Sequence, residues 1–171
     1  MILPAIRDSR LVTQRRGGTL TDIDHRALAL WAAECAEHVL PLFEAAHPAD
    51  PRPREAVLAA RAWVRGEGGM MATRAIGGHA MGAARPLRGT ARFAAYAAGQ
   101  AACVAHVPEH DLGAAAYAIK AVRAAALSGG EHQAGRVERD WQRSRVPIRL
   151  RDLVIDDQRR RNSICWFVFD D

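Results

Sequence analysis

Glu34, Cys35 and His38 are the residues of this sequence whose types and spacing come nearest to an acid–base or metal site. Glu34 and His38 are four residues apart, so in a helix they face the same way. A carboxylate, a thiol and an imidazole on one helix are metal-ligand and proton-transfer groups. Cys35 also falls in an apolar stripe, where a free cysteine usually serves as a small hydrophobic residue. Both interpretations stay open at this stage.

His106 and His110 are also four residues apart, which resembles the spacing of the zinc-binding H-E-x-x-H motif. Pro108 lies between them, so the pair spans a helix corner and does not share one helical face. Zinc also needs a third protein ligand, for which His79 is only a guess. The alternative is that each histidine caps a free backbone group at the corner, since a helix end leaves four such groups unsatisfied. We expect this capping role, no metal and no cofactor.

Further polar side chains project from two alanine-rich segments, at Tyr96, Gln100, Tyr117 and Lys120. Their small neighbours could leave a cleft, in which Lys120 would act as a base. More often a lysine on a helix simply extends into water. Motifs such as the P-loop, the G-x-S-x-G elbow and CxxC are absent. If the protein is an enzyme, its site would draw on Glu34, His38, His79, Tyr96, Gln100, His106, His110 and Tyr117.

Arginine supplies nearly all of the positive charge, and the net charge is +5. Arg54, Arg61 and Arg65 fall on one side of a predicted helix, where their guanidinium groups could bind an acidic partner. The alternative is a solvated face. Only residues 159–161 form an arginine run, and the other arginines are spread among acidic neighbours. Because a nucleic-acid binder usually clusters its charge, we do not expect nucleic-acid binding.

The length and composition are those of one folded domain: 171 residues, 49% hydrophobic and 25% charged. No window of about 18 apolar residues lacks charge, so we predict no transmembrane span. The N-terminus has no basic region followed by a long apolar run and is not a secretory signal. Three distant cysteines, Cys35, Cys103 and Cys165, favour a reducing cytoplasm over a disulfide framework.

The segment from Thr90 to Leu127 predicts the central element, a hairpin of two alanine-rich helices. Thr90 is a candidate N-cap, and Pro108 cannot continue the first helix but suits the first turn of the second. Alanine-lined helices can approach closely and are joined here by a very short connection. We therefore predict an all-α fold of six to seven helices, either a bundle or a short solenoid, around this hairpin.

Capping residues, prolines and apolar periodicity place the other helices. Thr21 begins the first with T-x-x-D spacing to Asp24, and Pro41 is expected to end or kink it. A second helix follows Asp50-Pro51, and a third extends from about residue 70 to 84. The third contains Gly77, Gly78 and Gly82, each of which costs about 1 kcal/mol relative to alanine or marks a close backbone crossing. The next is a polar helix from 131 to about 144 with Val137 and Trp141 inward, and a last helix follows Pro147.

The two ends of the chain are expected to pack on the bundle. Residues 1–20 are predicted to be an irregular N-terminal arm. Residues 164–169 are the most hydrophobic hexamer, predicted to be a short strand or an extended plug. Left exposed, this hexamer would promote aggregation, so we expect the tail 164–171 to be buried against the bundle or a second copy.

Three segments of this sequence resemble the Imm-5-like immunity proteins of bacterial polymorphic toxin systems. They are RLVTQRRGGTLTDIDHRALALWAAECAEHVLPLFE, DPRPREAVLAARAWVRGE and AAGQAACVAHVPEHDLGAAAYAIKAV, and they extend from about Arg10 to Val122. The resemblance implies a small helical protein that binds and blocks a toxin, and it brings no catalytic residues with it. The leading hypothesis is thus a cytoplasmic domain that binds an acidic surface of a protein partner. The alternative is a small enzyme or small-molecule-binding protein with a cleft beside the hairpin.

Overall fold

The computed structural model describes residues 3–170, and among these it contains seven α-helices and no strand. Met1, Ile2 and Asp171, at the tips of the predicted arm and tail, lie outside the described residues. The helices are α1 (Asp22–Glu44), α2 (Arg52–Arg65), α3 (Met70–Ala84), α4 (Gly89–Cys103), α5 (Asp111–Ala125), α6 (Glu131–Arg145) and α7 (Arg151–Arg161). Short 3-10 turns lie at Ser9–Leu11, Gln14–Arg16, Pro108–His110, Ile148–Leu150 and Ser163–Cys165.

Helix α4 occupies the centre of the molecule and packs against α1, α2, α3 and α5. Its partner α5 also packs against α1 and α6, so the predicted central hairpin is confirmed. A helix with neighbours on four sides belongs to a bundle, because a solenoid unit contacts only the units before and after it. The hairpin turns at Pro108 as predicted. Thr90 is not the cap, because α4 already begins at Gly89.

Alanine and glycine let the central helices approach closely. Most of the buried residues of α4 and α5 are alanines. A Cβ on Gly77 of α3 would lie 2.7 Å from the Gly99 carbonyl oxygen, and one on Gly99 would lie 2.8 Å from that of Gly77. The predicted close crossing is therefore confirmed at Gly77. Gly78 and Gly82 have open space beside them, so the crossing does not require their lack of a side chain.

Helix α1 begins as predicted and ends later than predicted. The Thr21 hydroxyl accepts the backbone N–H of Asp24 at 3.1 Å, which confirms the cap. The expectation that Pro41 ends the helix is wrong, because α1 continues to Glu44. Pro41 is exposed, and so is Glu37, whose carbonyl loses its usual helical N–H partner. On this side water can satisfy that carbonyl, which lowers the cost of an internal proline.

Helix α6 buries polar side chains in place of the predicted apolar one. Val137 is 59% exposed, so its inward placement was wrong, and Trp141 is half-buried. The side chains of Glu138 and Gln142 face the bundle. The Gln142 amide donates to the Ala115 carbonyl of α5 at 3.2 Å and to the Glu138 carboxylate at 2.8 Å. Hydrogen bonds therefore hold α6 where the sequence suggested apolar packing.

The C-terminal hexamer is neither a strand nor extended, so that prediction was wrong. It forms the 3-10 turn Ser163–Cys165, and Trp166 and Phe167 then follow with φ of 58° and 56°. This left-handed turn divides the hexamer. Cys165, Val168 and Phe169 are buried in the core, whereas Trp166 is 41% exposed and Phe167 58%.

A network of buried charges fastens α7 to the start of α5. Arg161 is buried and donates to Asp157 at 2.8 Å, to Asp111 at 3.2 Å and to the Glu109 backbone carbonyl at 2.7 Å. The buried Glu109 carboxylate accepts two hydrogen bonds from Arg7, which fastens the N-terminal segment as well. Two carboxylates thus share the Arg161 guanidinium. Burial raises the pKa of Asp111 to about 7.

Candidate partner-binding surface

His38 and Glu34 line a surface cavity of about 320 Å³ between α1, α2 and α6. His38 Nδ1 lies 2.8 Å from Oε2 of the buried Glu138, and its ring stacks on Trp141 with centroids 3.8 Å apart. A carboxylate on Nδ1 fixes the tautomer and leaves Nε2 free as a proton acceptor, which is the geometry of a general base. None of the other predicted enzyme residues lines this cavity.

Gln100 and His110 meet inside the helix corner, away from His38. The Gln100 amide oxygen lies 2.7 Å from His110 Nδ1, and its nitrogen lies 3.4 Å from the Met81 sulfur. Burial lowers the pKa of His110 to about 4, so the ring is neutral at pH 7. Its partner is a side chain, so the expected backbone cap at His110 was wrong. A neutral, buried amide–imidazole pair serves here as a polar link between α4 and α5.

His79 and His106 lie apart from these pairs. His79 is exposed on α3. His106 faces a different cavity, and among residues 3–170 no group hydrogen-bonds its Nδ1, so the expected cap was wrong there too. The capping role belongs to His25, whose Nε2 lies 2.7 Å from the Val104 carbonyl oxygen. The eight predicted enzyme residues thus occupy separate places, and across the described chain no three His, Cys, Asp or Glu side chains could hold a metal ion.

The three predicted partner-binding arginines lie along α2, and each contacts a carboxylate of this chain. Arg54 reaches Glu44 at 2.5 Å, and Arg61 reaches Glu37 at 2.5 Å. Arg65 reaches Glu67 at 2.6 Å. Their charges are therefore neutralised locally, and a partner would have to displace these carboxylates in order to bind here.

Tyr96 and Tyr117 belong to a layer of aromatic rings across the outer side of α4 and α5. The two tyrosine rings stack 4.9 Å apart, and Phe93 stacks 6.3 Å from Tyr117. The C-terminal turn adds Trp166, whose ring is tilted 5.0 Å from Tyr117. Phe167 follows it and is more exposed still. We call this group, with the cations beside it, the Trp166 surface: Arg92, Phe93, Tyr96, Tyr117, Lys120, Arg123, Trp166 and Phe167.

Two cations of the Trp166 surface, Lys120 and Arg92, contact rings and carbonyls in place of carboxylates. Lys120 Nζ lies 3.8 Å from the Trp166 ring centroid and 4.6 Å from that of Phe93. Arg92 lies over Tyr96 and donates to the carbonyl oxygens of Arg85 and Leu87. Burial, followed by the repulsion of Arg92, lowers the pKa of Lys120. Lys120 is thus attracted to ring faces, and within the described part of the chain it forms no ion pair with a carboxylate.

Arg123 completes this row of cations. Its Nε is buried without a hydrogen-bond partner in the described structure, and burial lowers its pKa. Beside it, a cavity of about 340 Å³ is lined by Phe93, Lys120, Arg123, Ala124, Trp166 and Val168. Within residues 3–170, no carboxylate pairs with any of the three cations. Asp170 attracts Arg123 without forming an ion pair with it. The surface therefore offers aromatic faces beside cations that form no ion pair within the described residues.

Residues 18–149 match a protein family described as Imm-5 like putative immunity protein. This span is more than half of the chain. The chain belongs to that family. No curated protein and no solved structure matches it. The match to the Imm-5 like family includes helices α1 to α6, and Trp166 lies beyond its end, so the geometry alone singles out the C-terminal part of this surface.

No sequence pattern predicts the Trp166 surface as a whole. Tyr96, Tyr117 and Lys120 were predicted to share a cleft, but the hexamer that contains Trp166 was expected to be buried. A turn with two positive φ values at non-glycine residues has no clear sequence signal. The same structure has no helix long and apolar enough to cross a membrane among the residues it describes.

Proposed function

We propose that this member of the Imm-5 like family is an immunity-type binding protein that sequesters a protein partner such as a toxin domain. The family membership supports the class of activity. The observation that carries the proposal is the Trp166 surface, where exposed aromatic rings lie among three cations that form no ion pair with a carboxylate of residues 3–170. Trp, Tyr and Arg side chains, all present here, are enriched among the residues that dominate binding energy in protein interfaces.

The Trp166 surface is preorganised for binding. Tyr96, Tyr117 and Trp166 already contact one another, and Lys120 lies against Trp166 and Phe93. Side chains that are ordered before binding lose little conformational entropy when a partner covers them. Binding therefore costs this surface less conformational entropy than it would cost a set of mobile side chains.

The backbone of the turn supports the same interpretation. Left-handed conformations cost an L-residue about 1–2 kcal/mol, and Trp166 and Phe167 adopt them in succession. The turn allows the flanking Cys165 and Val168 to reach the core, whereas Trp166 and Phe167 themselves stay partly exposed. Strain held next to an exposed group marks functional sites. The buried Cys165 and Val168 on either side hold the turn in place.

The partner that fits this surface is acidic and presents an apolar or aromatic group to Trp166. Acidic side chains would meet Lys120, Arg92 and Arg123, and the net charge of +5 would steer such a partner toward the protein. We place the contact here and not on α2, since the α2 arginines are already paired. All three cysteines are unpaired and buried, which fits a reducing compartment such as the cytoplasm.

The test begins with native mass spectrometry of the full-length protein purified from its own host. We expect a co-purifying protein of defined mass. The affinity of that isolated partner is then measured for the wild type, for Trp166→Ala and for Ile148→Ala, which removes a still more exposed apolar side chain elsewhere. Trp166→Ala should weaken binding about 30-fold and Ile148→Ala less than about threefold.

Two results would contradict the proposal in different ways. A mass equal to two copies of this chain, with no other protein, would replace the toxin partner by self-association. If an isolated partner bound wild type and Trp166→Ala equally, the immunity proposal would stand, but the interface would not include the Trp166 surface.

A further inference from the structure

A second charged cavity lies at the end of the bundle where α1, α2 and α3 meet the helix corner. Its volume is about 330 Å³, within the range of small-molecule sites. It is independent of the Trp166 surface and plays no part in the proposed function. The side chains that matter for its chemistry are Arg15, Arg16, Asp22, Arg26, Trp63 and His106.

Positive charge exceeds negative charge in this cavity. Asp22 is the one carboxylate of its lining, and it pairs with Arg15 at 2.7 Å. Arg26 donates to the backbone carbonyls of Val64, at 2.7 Å, and Trp63, which leaves its charge uncompensated. In the described chain no carboxylate pairs with Arg16. The lining therefore carries an excess of two positive charges before any histidine is counted.

His106 adds an unsatisfied polar atom. Its Nδ1 is buried and, among the described residues, has no hydrogen-bond partner. The charged groups that act on the ring come from three elements: Arg74 of α3, Arg16 of the turn Gln14–Arg16, and Arg7 of the N-terminal segment. Burial and these three cations lower its pKa. A buried polar atom without a partner is costly, and an anion bound here would relieve the repulsion among the cations.

The loop that carries Arg15 and Arg16 is held in one conformation. Thr13 and Leu20 form a bridge across its base, and Leu20 donates to the Val12 carbonyl at 3.0 Å. A Cβ on Gly18 would lie 2.0 Å from the Val12 carbonyl oxygen, so only glycine fits at the crossing. The two arginines are thus presented on a closed loop beside the cavity.

We propose that this cavity binds a small molecule that carries a phosphate group. The phosphate would lie among Arg16, Arg26 and His106, because guanidinium groups suit multivalent oxyanions. The rest of the molecule would lie toward Trp63, whose ring closes one wall.

The proposal is tested with the full-length protein, using inorganic phosphate and adenosine monophosphate as probes at constant ionic strength. Calorimetry should give a dissociation constant of about 1 mM or tighter for at least one probe. Arg16→Gln should weaken it about tenfold, since one charge-assisted contact is lost. Arg54→Gln removes the same charge from the outside of α2 and should have no effect. Arg16 is exposed, so this variant should fold.

A second measurement separates the site from general charge effects. In NMR spectra, bound phosphate should shift the Trp63 indole N–H and raise the pKa of His106. Tighter binding of the nucleotide than of phosphate would show that the Trp63 wall contributes, and equal binding would limit the site to the phosphate group. Equal weakening by Arg16→Gln and Arg54→Gln, or no shift at Trp63 and His106 at about 10 mM of either probe, would overturn the proposal.

Discussion

The outer side of α2 and the Trp166 surface each present three cations, but the cations have different neighbours. Arg54, Arg61 and Arg65 contact glutamates of the same chain. Lys120 and its neighbours contact aromatic rings and backbone carbonyls. A paired surface arginine contributes little to stability or recognition, whereas a partly buried cation without a carboxylate retains its attraction for one. The comparison shows that the contacts each basic residue makes within the protein, and not the number of basic residues on a surface, decide whether that surface can bind an acidic partner.

The largest effect is expected where a paired arginine is buried. Arg161→Met should lower the free energy of unfolding by about 3–5 kcal/mol, because Asp111 and Asp157 would remain buried without their cation. Arg54→Met removes an equally paired but half-exposed arginine and should cost less than about 1 kcal/mol. Urea unfolding of both variants measures the contrast. Similar losses in the two would show that burial does not separate these ion pairs.

The next effect is a pH dependence that arises from the same buried network. The folded pKa of Asp111, about 7, lies above the ordinary aspartate value of 3.8, so the folded state binds the extra proton between these pH values. Stability from this group is therefore greatest in acid and falls as the pH rises from about 4 to 7. Asp111→Asn removes the titration. The wild type should lose stability relative to this variant over that range, as measured by urea unfolding at several pH values, and a relative gain would contradict the prediction.

The helical framework was predictable because its signals are local. Propensity, glycine and proline placed α3 between residues 70 and 84 and the corner at Pro108, as the structure has them. The expected end of α1 at Pro41 was wrong, and the alternative, a kink there, stays a prediction. The penalty for a proline depends on whether its helical face is exposed, which the residue type alone does not show.

The candidate site was less predictable because it depends on contacts between distant residues. Arg61 and Glu37 are 24 residues apart, and nothing in the spacing of the α2 arginines shows that each one has a carboxylate. Trp166 lies 49 positions from Tyr117 along the sequence numbering, and only the left-handed turn brings the rings together. The sequence does predict that Tyr96, Tyr117 and Lys120 share the hairpin. The aromatic layer is completed by a tail whose shape was not foreseen.

A smaller effect is expected in partner affinity when single charges are removed. Lys120→Gln should weaken binding of the isolated partner about tenfold, because a partly desolvated cation at the centre of the Trp166 surface is lost. The triple variant Arg54→Gln, Arg61→Gln, Arg65→Gln should change it less than about threefold, although it removes three charges. Calorimetry with the isolated partner compares them. A larger loss in the triple variant would move the interface to α2.

The smallest effect tests whether the left-handed turn at Trp166 and Phe167 serves binding although it lowers the free energy of unfolding. Asparagine tolerates a left-handed conformation better than phenylalanine does, so Phe167→Asn should raise the free energy of unfolding by about 1 kcal/mol. The same change should weaken partner binding, since it removes an exposed ring from the Trp166 surface. Ile148→Asn is the control, at an exposed position without a positive φ, and should alter stability by less than about 0.5 kcal/mol. Urea unfolding measures the stability of each variant, and calorimetry measures its partner affinity. If Phe167→Asn were less stable than the wild type, the turn would stabilise the fold, and its left-handed backbone would no longer be evidence of a binding site.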